Sequence, residues 1–352
     1  MWSEVLINYG VFILQILTVL LVIVAIFAFI VSLRHKEQSA VGELKITDLA
    51  KKYQDNQQKL ANFRLNDEQL KQQEKARKKQ QKLEAKANKQ AAKSGQEPDE
   101  KAKPCVYVLN FKGDIQASGT AALADEISAI LAVAKAEDEV LLRLESPGGV
   151  VHGYGLAASQ LDRLKQKGIK LTVAVDKVAA SGGYMMACVA DKIVSAPFAV
   201  IGSVGVVAQI PNIHRLLKKH DVDVEVMTAG EYKRTMTILG ENTEKGREKF
   251  QQELEETHQL FKDFVANHRQ NLDLEKIATG EHWFGQQALD LGLVDEIATS
   301  DDLILTALQH KDVLEVKFTQ KKSLMQKIGK QAEESSDNLL LRWLQRSNRS
   351  LY

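Results

Sequence analysis

Three glycine-containing turns carry the residue types from which a hydrolytic site could be built. They are SPGG (Ser146–Gly149), ASGG (Ala180–Gly183) and GSVG (Gly202–Gly205). Ser181 lies between a run that reads as a strand and one that reads as a helix. A hydroxyl there can attack a carbonyl, while the free N–H groups at the helix start stabilise the oxyanion that forms. The competing role for Ser181 is a plain N-cap, since serine is a favoured cap. The glycines after it allow close approach of another backbone. In SPGG the N–H groups of Gly148 or Gly149 can join that of Gly182 as an oxyanion hole, or the turn can simply reverse the chain. A serine nucleophile also needs a base. His152 follows SPGG closely. Lys233, in TAGEYKRT, is one of many lysines that could serve if burial lowered its basicity. Residue types alone do not choose between them.

The elements around these turns alternate. CVYVLNF, ended by Gly113, reads as a strand, and TAALADEISAILAVAKA has apolar residues at helical spacing. EVLLRLESP is the next strand and VHGYGLAASQLDRLKQKG the next helix, stopped by Gly168. LTVAVD, a helix from ASGGYMMACVAD, and the strands KIVSAP, VGVVAQI and VDVEVMT follow. Lys245 to Gln270 reads as a long amphipathic helix, and NLLLRWLQRSNRS as a second, suited to a membrane surface or a partner subunit. Continuous apolar strands between helices imply an α/β fold with a parallel sheet. The glycine turns then fall at the strands' C-terminal edge, where such sheets bind ligands.

The chain of 352 residues is 44% hydrophobic and 26% charged, with a formal net charge of +1. Its cysteines, Cys105 and Cys188, form neither a disulfide framework nor a zinc pattern. Tyr9 to Leu33 holds no formal charge and is long enough for a bilayer-spanning helix. A cleaved signal peptide has a shorter apolar run and a small-residue cleavage site. Arg34, His35 and Lys36 follow the span at once, which by the charge rule leaves the bulk of the chain in the cytoplasm. The lysine-rich run from Lys71 is too poor in apolar residues for a core and lacks the interleaved aromatics of a nucleic-acid tail. It reads as a solvated helix or flexible spacer. The divisions expected are therefore an anchor over 1–36, a spacer over 37–103, a catalytic domain over 104–300 and a C-terminal helical extension over 301–352.

The runs RLESPGGVVHGYGLAASQL and VDKVAASGGYMMACVADKIVSAPFAVIGSVGVV, with GEHWFGQQALDLGLVDEI downstream, resemble the signal peptide peptidase family of Ser–Lys proteases. The resemblance runs over essentially the whole chain. It implies a ClpP/crotonase-like fold, Ser181 as nucleophile and Lys233 in GEYKR as general base. It also implies oxyanion donors at Gly182 and at Gly148 or Gly149, and Ser203 as a hydroxyl that holds the lysine ammonium. A bacterial inner-membrane peptidase of hydrophobic peptides is implied, assembled as a homo-oligomer such as a ring of eight, with the lysine in some relatives supplied by a neighbouring protomer. Relatives hold the protease domain outside the cytoplasm, opposite to the side favoured by the charge rule. No cofactor, metal or nucleic-acid partner is expected, since no metal ligand set or phosphate loop of the GxxxxGK type is present. Two other classes fit the same pattern less well. Crotonase-type acyl-CoA chemistry usually employs acidic residues, and a non-catalytic membrane scaffold would have no need of the Ser–Lys pair.

Overall fold

The computed structural model describes residues 12–21, 42–63 and 103–320, with scattered positions between 65 and 82. Of the span expected over Tyr9–Leu33, residues 12–21 are described and helical. Among the described residues no helix is long and apolar enough to cross a membrane. Most of the lysine-rich run and all of NLLLRWLQRSNRS lie outside the described residues. The chain divides into two compact units, residues 1–43 with 319–352, and Leu44–Phe318. All the elements below belong to the second unit, apart from the outer ends of the first and last strands.

Strand β1 (Gly42–Asp48) leads into α1 (Leu49–Asn62), whose first turn is capped by the Asp48 carboxylate accepting from Lys51 N–H. Then come β2 (Cys105–Lys112), α2 (Thr120–Val133), β3 (Glu139–Glu145), α3 (Val151–Gln166), β4 (Lys170–Val175) and β5 (Val178–Ala180). They are followed by α4 (Gly182–Ala187), β6 (Lys192–Ser195), β7 (Val200–Gly202), α5 (His214–Lys219) and α6 (Glu244–His268). The chain continues through α7 (Leu274–Ile277), β8 (His282–Phe284), α8 (Gly285–Asp290), β9 (Glu296–Ile297), α9 (Ser300–Ala307) and β10 (Asp312–Gln320).

Seven strands form the main sheet in the order β1-β10-β2-β3-β4-β6-β9, and pairing from β10 to β9 is parallel throughout. Alternate residues of its central strands enter two apolar layers. Leu109 and Phe111 of β2, Leu142 and Leu144 of β3, and Leu171 and Val173 of β4 pack with α2, α3 and α4. Val106, Val108, Leu141 and Ala174 point the other way and pack with Leu49 of α1 and Ile304 of α9. Burial on both faces explains why these strands read as unbroken apolar runs.

A second sheet, β5-β7-β8, pairs β5 with β7 in parallel and β7 with β8 antiparallel. The α/β class and the parallel sheet are as expected. Three local expectations are corrected. VGVVAQI (204–210) and VDVEVMT (222–228) are irregular rather than strands. Among the described residues neither run has a neighbouring strand to complete its backbone hydrogen bonds, and Val207 and Met227 are 83% and 89% exposed. β-propensity expresses itself only against such a neighbour. The third is β10: it falls where a helical extension was expected, and it pairs with β2 from Asp312↔Cys105 onward.

Candidate active site

Strand register brings the three glycine turns together. Ser146, just past β3, bridges Ala179 of β5, and Ala180 pairs with Gly202 at the end of β7. Ser146 N–H donates to Val178 O, Ala180 N–H to Ser146 O, and Ser181 N–H to Gly202 O at 2.7 Å. Three chain segments therefore end side by side, and the residues that follow them, Pro147–Gly149, Ser181 and Ser203, share one edge. This is the C-terminal edge where parallel strands leave a crevice.

Ser181 occupies an unusual backbone conformation, φ 51° and ψ −119°, immediately before α4. Ser203 also has positive φ, 52°, and its N–H donates to Glu281 O at 2.7 Å. Strained non-glycine residues of this kind persist where the surroundings over-determine them, and they cluster at functional sites. The packing here is tight enough to do so. A Cβ on Gly148, whose φ is +89°, would stand 2.8 Å from Ser181 Cβ and from Gly182 N. A Cβ on Gly182 would enter the Tyr154 ring, 2.4 Å from its Cγ. Only glycine at both positions lets the SPGG turn lie directly against the serine.

Ser181, Gly182, Gly149 and Ser203 line one cavity of about 400 Å³. Val151, Met185, Val206, Val207 and Phe261 give it apolar walls, and Thr257, His258 and Thr279 add polar groups. The amides along its edge differ in one respect. Gly148 N–H already donates to Ser146 Oγ at 3.1 Å, whereas Gly149 N–H has no acceptor among the described residues. Gly182 opens α4, where the first N–H groups lack intrahelical acceptors. A hydroxyl beside two unengaged amides and an apolar cavity is suited to acyl transfer.

The sequence-predicted base is elsewhere. Lys233 is exposed and does not line the cavity. It sits in a bend of the excursion from Gly205 to Thr243, where its N–H donates to Gly230 O. His152, near the start of α3, is also exposed and off the cavity. Ser181 Oγ makes no hydrogen bond among the described residues. The structure thus assembles Ser181, Gly148, Gly149, Gly182 and Ser203 and leaves Lys233 apart.

Sequence reasoning missed the wall supplied by α6. Helical periodicity located that helix but could not say which turn faces the serine. Among the described residues His258 is the one titratable side chain lining the cavity, and its Nε2 is sealed from solvent without a hydrogen-bond partner. The cysteines offer no rival nucleophile. Burial pushes Cys188 up to about 12 and, with Asp138 adding to it, Cys105 up to about 11, so both remain protonated thiols.

Residues 4–161 match the family described as Peptidase family S49 N-terminal, and residues 163–314 match Peptidase family S49. The chain is 66% identical over 349 residues to the Haemophilus influenzae protein named "Probable protease SohB", covering 99% of both chains. It is 50% identical over 303 residues to a namesake from Buchnera aphidicola, covering 86% of this chain and 99% of that one. Among solved structures, the 1510-N membrane-bound stomatin-specific protease with a substrate peptide gives a TM-score of 0.39 at 16% identity, covering 64% of this chain and 96% of that one. A serine on a strained turn with free amides beside it thus sits inside a chain matched by this family along nearly its whole length: the chain belongs to peptidase family S49 and is a serine peptidase of the SohB type.

Proposed function

We propose that this peptidase is a membrane-anchored endopeptidase working through a Ser181–Lys233 dyad on a ClpP/crotonase-like frame. Its substrates are hydrophobic peptides, such as remnant signal peptides or misfolded membrane and envelope segments. The observation that carries the proposal is the set Ser181, Gly149 and Gly182, a strained hydroxyl and two unengaged amides on one apolar cavity. Neutral Lys233 takes the Ser181 proton as Oγ attacks the substrate carbonyl. The N–H groups of Gly149 and Gly182 hold the oxyanion, and Ser203 steadies the lysine ammonium. The lysine proton passes to the leaving amine, and a water then hydrolyses the acyl-enzyme by the same route.

Because Lys233 is exposed and away from the cavity, the base in this reading comes from a neighbouring copy. A lysine acts as a base only when removed from water, and covering the Gly205–Thr243 excursion with another protomer provides that. The exposed Val207, Leu216, Val226, Met227 and Ile238 of this excursion favour such an assembly. The segment Tyr9–Leu33 anchors the chain in the bacterial inner membrane, and a reporter fused after Tyr352 decides the side. A second reading rests on His258, the titratable group that does line the cavity.

The test is cleavage of a fluorogenic apolar peptide by full-length protein in detergent. Loss of activity in Ser181→Ala and Lys233→Ala, with His152→Ala and His258→Ala active, supports the dyad. An active Lys233→Ala with a dead His258→Ala moves the base to α6.

A further inference from the structure

Two hydroxyls next to the cavity are fully buried and belong to no part of the dyad. Ser146 and Tyr154 are each 0% exposed. Together they form a one-way hydrogen-bond chain. Gly148 N–H donates to Ser146 Oγ at 3.1 Å, Ser146 Oγ–H to Tyr154 Oη at 2.7 Å, and Tyr154 Oη–H to Asp114 O at 2.8 Å. Every donor has one acceptor, so the direction of each proton is fixed. The far end is fixed too. The Asp114 carboxylate accepts from Ser118 N–H at 2.9 Å and from the Ser118 hydroxyl, which pins the loop bearing the terminal carbonyl.

The chain of hydroxyls does more than fill a polar gap. Gly148 has φ +89°, and its peptide N–H is turned onto Ser146 rather than toward substrate. The next amide, of Gly149, is left without an acceptor on the cavity wall. Tyr154 also reaches the other side of the site, since its ring is the surface against which Gly182 is packed. One side chain therefore touches both turns that bear the free amides, through its hydroxyl on one side and its ring on the other.

We propose that Ser146 and Tyr154 are positioning residues for peptide hydrolysis, locking the Gly148 peptide so that Gly149 N–H, paired with Gly182 N–H, meets the substrate oxyanion. This rests on the reading of Ser181 as nucleophile given above. It assigns the donor to Gly149 and withdraws Gly148, whose amide is already engaged. Preorganised donors act because they need not reorient as charge develops. Freeing the Gly148 peptide to rotate would lose that advantage while leaving the apolar walls that bind substrate unchanged. Burial also pushes the Tyr154 phenol above its ordinary range, so it remains a donor across the working pH range.

The experiment uses full-length Tyr154→Phe, Ser146→Ala and Ser181→Ala, each first checked for a cooperative melting transition. Measured for each are kcat and KM on the apolar peptide. A peptide aldehyde, which places an oxyanion in the hole on adding to Ser181, is compared with the corresponding peptide alcohol, which does not. Tyr154→Phe keeps the ring against Gly182 and carries the test alone if Ser146→Ala does not fold. Expected are kcat losses of about 10-fold for Tyr154→Phe and about 100-fold for Ser146→Ala, with KM and alcohol binding changed by about twofold or less. Aldehyde binding weakens in parallel with kcat. Unchanged kcat and aldehyde binding in a folded Tyr154→Phe would overturn the proposal, as would equal weakening of aldehyde and alcohol. If Ser181→Ala stays active, the nucleophile assignment itself falls. If Ser181→Ala is dead while the other variants match wild type, the positioning role alone is lost.

Discussion

The turns around Ser181 and the excursion that bears Lys233 are built on opposite plans. Around Ser181, backbone pairing, buried hydroxyls and glycine contacts fix the backbone; Ser146, Tyr154, Ala179 and Gly182 are all buried. From Gly205 to Thr243 the chain bonds mostly to itself, as in Asn212 Nδ2 to Thr237 O and Ile213 N to Ile238 O. Helix α5 within it has no buried residue. The serine and the free amides thus meet within one chain, whereas Lys233 stays exposed and off the cavity. The difference teaches that preorganisation need not be uniform: strain is tolerated where the core can hold it, and the excursion, which lends no residue to the core, stays largely exposed.

The largest effect expected is on activity, and it breaks or upholds the comparison directly. Ser181→Ala and Lys233→Ala should each lower kcat by about 10⁴-fold or more when assembled alone. Mixed after dissociation, the two dead proteins should regain up to about a quarter of wild-type activity, since random neighbours restore a working pair at that frequency. No recovery on mixing would mean that the base acts within its own chain.

Next is a contrast in stability. Gly182→Ala drives a methyl into the Tyr154 ring and should cost about 1–3 kcal/mol. Met227→Ala, on the excursion, should leave the melting temperature of dissociated chains within the effect of about 0.5 kcal/mol and lower the assembly size instead. Thermal melts and sedimentation would separate the two behaviours.

Ser203→Ala lies where the two plans meet, and about a tenfold loss in kcat is expected if its hydroxyl steadies the incoming lysine. Steady-state kinetics at saturating peptide would read it.

One further effect, visible in stability alone, lies outside both regions. Glu126, on α2, is pushed up from 4.5 to about 7 by burial, against the opposing Phe318 N–H and Lys317. The folded protein therefore holds this proton more tightly than the unfolded chain does. The stability it contributes is full below about pH 4.5 and is lost as pH rises through about 7. Glu126→Gln should remove this slope, gaining about 1–3 kcal/mol on wild type by pH 8 in chemical melts, with cleavage unaltered.

Much of the frame could be read from the residues, for a physical reason. Strands β2, β3 and β4 are buried on both faces, so their apolar runs are unbroken, and the helices between them carry clean periodicity. The three-residue strands β5, β7 and β8 are too short for any period, yet they bring Ser181 and Ser203 together. Val206–Val207 and Val222–Val226 have strand-forming composition but, among the described residues, no strand to pair with. At the site, glycine spacing pointed to Ser181, because close backbone approach demands glycine. Ser146 and Tyr154 gave no such signal; one reads as a turn residue and the other as part of an apolar helix face. Lys233 emerged only from resemblance to a family, since nothing in a lysine's immediate neighbours declares what will cover it.

The left-handed backbone of Ser181 has an evolutionary consequence. Glycine would accept φ 51° and ψ −119° without strain. Ser181→Gly should therefore be inert yet melt later, by the equivalent of about 1 kcal/mol. The torsion thus favours glycine on stability, and on the proposed reading it is turnover alone that demands the serine.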